Sequence, residues 1–222
     1  MPENNLLPEV QLNSTRHDYQ WGRRLFHMST GGALSTTYLM AEDFTHEKVV
    51  HILGLCACII YLLDHIRISY PEIGNKLLFV NRFFLRAEEQ LKESSAIPYA
   101  VAVLLTILTF PKPVALIAIY TLAFSDPLCA LIGIRYGKIK ITNNKSLQGS
   151  CAFFCTTFFF SMVVLYNFYP ESLFKDFKAS FMISLLSTLF EILPIRIDDN
   201  LTIPLYTSCF AWLFIWLFGL YV

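Results

Sequence analysis

Charge is scarce in this chain. Charged residues make up 15% of its 222 positions while 55% are hydrophobic, whereas an ordinary soluble domain carries about a quarter charged residues. That balance excludes a soluble enzyme and reads as an integral membrane protein. Net charge is zero, so there is no strong pull on nucleic acid. The six cysteines contain no C-x-x-C pair, which indicates neither a zinc site nor a disulfide framework and leaves them as reduced, small core residues. An apolar run is missing from the first twenty residues, MPENNLLPEVQLNSTRHDYQ. No cleavable signal peptide is therefore expected, and the first span must serve for insertion. Internal repeats and low-complexity tracts are also missing.

What is present is a series of apolar windows close to the ~20 residues that a bilayer helix requires. They fall at about 25–41, 48–63, 95–110, 113–134, 150–169, 179–195 and 201–222. The expected fold is all-α, a polytopic bundle of about seven spans, with residues 1–22 a polar cytoplasmic segment and 23–222 one transmembrane domain. Between the second and third windows, RISYPEIGNKLLFVNRFFLRAEEQLKES mixes Leu and Phe with charged residues at helical spacing, which predicts an amphipathic helix at the interface. With the N-terminus inside, most Arg and Lys outside the spans fall on the cytoplasmic side, and only Lys48, Lys112, Lys175 and Lys178 on the other. The same orientation brings Arg24, His27, Asp126, Lys145, Glu191, Asp198 and Asp199 to cytoplasmic ends of spans. One site can gather them.

The fourth window carries Asp126 before Pro127. An intramembrane carboxylate costs at least ~2.5 kcal/mol and is a functional candidate by default. The proline removes a helix hydrogen bond and biases the preceding residue away from helix, so a kink or break is expected at Asp126. This span ends at Gly133 and Gly137, with Arg135 between them, and the next begins at Lys145-Ser146-Leu147-Gln148-Gly149-Ser150. Unpaired N–H groups at a helix start, beside a lysine, suit phosphate, and a nearby carboxylate suits magnesium. Ordinary helix capping by the same glycines and serines accounts for the loop alone equally well.

In RRLFHMSTGG, Arg23 and Arg24 stand four and three residues before His27, a spacing that shares a helix face. The group suits phosphate binding and proton handling, although a topology signal with an interfacial histidine accounts for it more simply. Asp64 with Arg67, and Arg86 with Glu89, are spaced as local helix salt bridges. In FEILPIRIDDNLTIP, Glu191 lies inside the sixth window, and Asp198-Asp199-Asn200 fits turn and N-cap chemistry.

In this order and spacing, Arg-Arg-x-x-His, Ser-Asp-Pro-x-x-Ala, Gly-x-x-x-Gly, Lys-Ser-x-x-Gly-Ser and the late Glu, Asp-Asn and Pro resemble the CTP-dependent lipid kinases: dolichol kinase, phytol kinase and CTP-dependent diacylglycerol kinase. These are related to the phosphatidate cytidylyltransferases. The resemblance runs from about Arg23 to Pro204. It implies a polytopic enzyme of the bacterial inner membrane or the endoplasmic reticulum, with a cytoplasmic site that moves the γ-phosphoryl of CTP to a lipid alcohol with Mg²⁺ or another divalent cation. Asp126, Lys145, Arg24 and His27 are then the catalytic candidates. Gly133, Arg135, Gly137, Lys145, Ser146, Gly149 and Ser150 are the nucleotide candidates, with the triphosphate on the N–H groups that begin the fifth span. Asp126, Glu191 and Asp199 are the metal candidates, and Asp126 either holds the cation or orients or deprotonates the lipid hydroxyl. The family loop usually reads Lys-Ser/Thr-x-Glu-Gly-Ser, and here the acid is Gln148, so that acid is dispensable or activity is altered. The alternatives are a CDP-lipid synthase, whose Lys-Asp and His-Gly-Gly-x-x-Asp-Arg signature is not found here, and a non-catalytic membrane protein.

Overall fold

A computed structural model of the chain describes residues 21–40, 46–70, 94–142, 145–170, 173–195 and 197–220. Among them are seven helices: α1 (Trp21–Met40), α2 (His46–Ser69), α3 (Ala96–Thr109), α4 (Lys112–Tyr136), α5 (Leu147–Phe168), α6 (Leu173–Ile192) and α7 (Asp199–Leu217). Each coincides with one of the seven apolar windows. Four of them, α2, α4, α5 and α7, are long and apolar enough to cross a bilayer, and α3 is a shorter apolar helix. The expected interfacial helix, with the Arg86 and Glu89 pair, lies outside the described residues.

Helix α4 is the centre of the bundle, packed by α1, α3, α5 and α7. Every residue from Pro113 to Ala123 is buried, as expected of a helix that is apolar all round. Helix α2 packs chiefly on α3 and leaves most of its surface exposed, as lipid contact requires.

Short polar ties join the helices at one end of the bundle. Arg23, itself buried, donates from Nη2 to Ser95 Oγ (2.5 Å), and Asn200 Nδ2 donates to the Ser95 carbonyl (3.2 Å). Ser95 thus links α1, α3 and α7. Arg67 bridges Asp64 at 2.7 Å, the local pair expected from their spacing. Asp64 also accepts from the Ser94 N–H at 2.9 Å, so this pair closes α2 onto the start of α3.

Asp126 does not break its helix. Its backbone is helical, with φ −62° and ψ −52°, and the irregularity sits one turn earlier as a π turn over Thr121–Ser125. There the Asp126 N–H reaches back to the Thr121 carbonyl. The wider turn absorbs the missing donor and the ring of Pro127, which then occupies the tolerated first turn of the next helical segment. The expected kink at Asp126 is therefore a π turn before it.

Candidate active site

The π turn presents Asp126 to the end of the bundle where α4 and α6 finish and α5 and α7 begin. The charges of Asp199, Lys145, Glu191 and Arg24 all act on Asp126. Lys145 is the hub: its Nζ donates to Glu191 Oε1 and lies 4.0 Å from Asp199 Oδ2. Glu191 is buried on the last turn of α6, its side chain only 2% exposed, whereas that of Asp199 is 58% exposed. Burial pulls the Lys145 ammonium down, but Glu191, Asp199 and Asp126 outweigh it and hold its ionisation above the ordinary lysine range. Arg24 Nη1 donates to the Pro127 carbonyl at 3.2 Å, which fixes α1 over the Asp-Pro step.

Local sequence explains how the lysine is held. Ser146 is the N-cap of α5 and accepts from the Gly149 N–H at 3.3 Å. The segment before it folds back so that Leu147 N–H donates to the Ile139 carbonyl (2.9 Å) and Ile139 N–H to Gln148 Oε1 (3.3 Å). These bonds use donors that the sequence offers to phosphate. The N–H groups of Leu147, Gly149 and Ser150 at the start of α5 are already taken, by Ile139 and by the side chain and carbonyl of Ser146. Gln148 ties the loop through an acceptor oxygen that a glutamate would supply equally.

The glycines bring α4 and α5 together. A Cβ at Gly149 would stand 2.9 Å from the Cys129 carbonyl and 3.3 Å from Gly133 Cα, and one at Gly137 would run into the Gly133 carbonyl and lie 2.7 Å from Ser146 Oγ. At Gly133 the tightest contact is the Ser146 hydroxyl oxygen, at 3.2 Å, one side-chain atom that has to give by only a few tenths of an ångström. Gly149→Ala is therefore expected to cost about 1–3 kcal/mol and Gly133→Ala clearly less, as read from thermal melting in detergent; equal losses would contradict this crossing.

His27 packs edge-on against Tyr99 of α3, ring centroids 4.8 Å apart. Arg135 is exposed on the last turn of α4, over its neighbour Tyr136. Ser150 is buried, and its hydroxyl has no partner among the described residues. Asp198 caps α7 by accepting from the Asn200 N–H at 2.9 Å, as the turn reading expects. Among the described residues no three metal-binding side chains form a ready cluster; Asp126, Glu191 and Asp199 are arranged around Lys145 instead. Two residues of the site escaped the sequence reading. Cys129, one turn beyond Asp126, is buried and donates from Sγ to Glu191 Oε1 at 3.5 Å. Tyr206 feels the charges of Glu191, Asp126 and Asp199. Their signals were the three-residue step from Asp126 and the seven-residue step from Asp199, both of which keep a helix face.

No family model matches the chain, and no solved structure matches it. Curated relatives do. A CTP-dependent diacylglycerol kinase of Saccharomyces cerevisiae is 29% identical over 218 residues, covering 88% of this chain and 73% of the relative. A probable chloroplastic phytol kinase of Glycine max is 33% identical, covering 82% of this chain and 75% of the relative. An uncharacterised protein of Rickettsia prowazekii is 30% identical, covering 85% and 91%. Similarity of this extent, over a chain in which Lys145 meets Glu191 and Asp199 at one end of an apolar helical bundle, places it in the family of CTP-dependent diacylglycerol kinases and phytol kinases.

Proposed function

We propose that this chain is a membrane-embedded kinase that transfers the γ-phosphoryl group of CTP to the hydroxyl of a lipid alcohol, a diacylglycerol or an isoprenoid alcohol, from a site facing the cytoplasm. The observation that carries the reading is Lys145, anchored by Glu191 and Asp199 beside the intramembrane Asp126. Phosphoryl transfer asks a protein mainly for positioning and charge neutralisation. Because the N–H groups that begin α5 are largely engaged, Lys145 and Arg24 supply the protein's positive charge to the phosphates.

Lys145 and Arg24 face three carboxylates, so the site is net negative before a triphosphate enters. A divalent cation resolves that conflict, and the donors present fit one: Asp126 offers a carboxylate, and Glu191 Oε2 is buried without a partner among the described residues. Magnesium typically takes one or two protein carboxylates plus substrate phosphates rather than a full protein cage, in keeping with the missing ready-made cluster. When bound it would neutralise charge on the phosphate oxygens. Asp126 has a second use, accepting the proton of the lipid hydroxyl. The lipid approaches sideways between helices, its tail in hydrocarbon and its hydroxyl at the depth of Asp126.

The purified protein in mixed micelles, given CTP labelled at the γ-phosphate and a panel of diacylglycerol, phytol and dolichol, is expected to release CDP and label one of the alcohols. Release of pyrophosphate with a CDP-lipid would mark a synthase. No turnover of any alcohol would leave the non-catalytic reading.

A further inference from the structure

Tyr206 stands out among the polar groups near the site. Its hydroxyl is buried and has no hydrogen-bond partner among the described residues, although buried phenols normally find one. The ring forms a three-ring cluster with Phe190 of α6 and Phe210 of α7, with centroids 5.6 and 6.1 Å away, and Phe190 directly precedes Glu191. Along α7, Tyr206 is two turns beyond Asp199 on the same face, about 10 Å deeper into the bundle. The charges of Glu191, Asp126 and Asp199 are felt at its oxygen.

That position selects among partners. Lys145 marks the mouth of the site, where the phosphates enter, and Tyr206 lies on its hydrocarbon side. Its ring packs on the residue before Glu191 and its helix face continues that of Asp199, so those carboxylates repel a phosphate oxygen there but not a neutral hydroxyl. A phenol both donates and accepts, as does an alcohol. We propose that Tyr206 is the hydrogen-bond partner of the acceptor alcohol, holding the lipid hydroxyl beside Asp126. The assignment rests on the lipid-kinase reading above.

The test is Tyr206→Phe, measured on the full chain in mixed micelles with dioleoylglycerol or phytol, whichever the wild type phosphorylates. Removing an unpartnered buried hydroxyl is neutral or stabilising for the fold, so the melting temperature should hold or rise. The KM for the alcohol should rise about tenfold or more, the loss of one hydrogen bond to substrate, while the KM for CTP stays within about twofold. An unchanged KM for the alcohol, whatever happens to CTP or to kcat, overturns the assignment. A wild type that phosphorylates neither alcohol nor dolichol overturns the kinase reading itself, and an active wild type with an unchanged variant overturns the Tyr206 assignment alone.

Discussion

Asp126→Asn should abolish CTP-dependent phosphorylation, with a loss on the order of a thousandfold, while the protein stays folded and inserted. The side chain is isosteric, and the backbone that presents it is set by the π turn, through the Asp126 N–H bonded to the Thr121 carbonyl. None of that depends on the carboxylate charge. Removing the charge also relieves repulsion, since Asp199 and Glu191 both act on the same group. Stability should therefore be unchanged or slightly higher. A dead enzyme with an undiminished melting temperature is the signature of a catalytic or metal-holding carboxylate rather than a structural one. The measurement is the initial rate of CDP release beside thermal melting in the same detergent. Turnover within about tenfold of wild type would sink the assignment.

The fold was legible because apolar windows separated by polar breaks are almost all that a membrane bundle encodes at coarse scale. Its edges were less so. Helix α6 begins at Leu173 rather than 179, because a helix continues past its apolar stretch, here through Lys175, Asp176 and Lys178. The Asp126-Pro127 step was misread for a sharper reason. A rule about the residue before proline is local, whereas the bundle packs tightly around Pro113–Ala123 and a π turn is enough to keep one continuous helix.

The charged members of the site were legible by type: a lysine, an arginine and carboxylates at the ends of apolar runs are costly there and mark a pathway or a site. Cys129 and Tyr206 were not, because both residue types are ordinary inside apolar helices. The engaged N–H groups of α5 depend on Ile139 lying back over the helix start, an arrangement set by Ser146 and Gln148 together and by no single motif. The glycines were legible as close-approach positions, but that they bring α4 against α5 is a tertiary fact.

Lys145→Met should behave differently from Asp126→Asn, losing both turnover and stability. Glu191 is almost fully enclosed, and Lys145 is its ion-pair partner. Without the ammonium, a buried carboxylate is left facing Asp126 and Asp199. Breaking a buried pair from one side costs roughly 3–5 kcal/mol, which in a chain of this size is a fall of about 10 °C in melting temperature. The double variant Lys145→Met with Glu191→Gln removes the stranded charge and should regain much of that stability, a coupling expected of groups in contact, without regaining activity. The pH dependence follows from the raised ionisation of Lys145. A cation whose folded value lies above its unfolded one contributes stability that is fully present below the unfolded lysine value of about 10.4. That contribution is lost only as pH climbs through the folded value. The gap in melting temperature between wild type and Lys145→Met should therefore be flat from about pH 7 to 9. A gap that closes within that window would mean that the ammonium is already losing its proton there, and that the three carboxylates do not hold it as the structure implies.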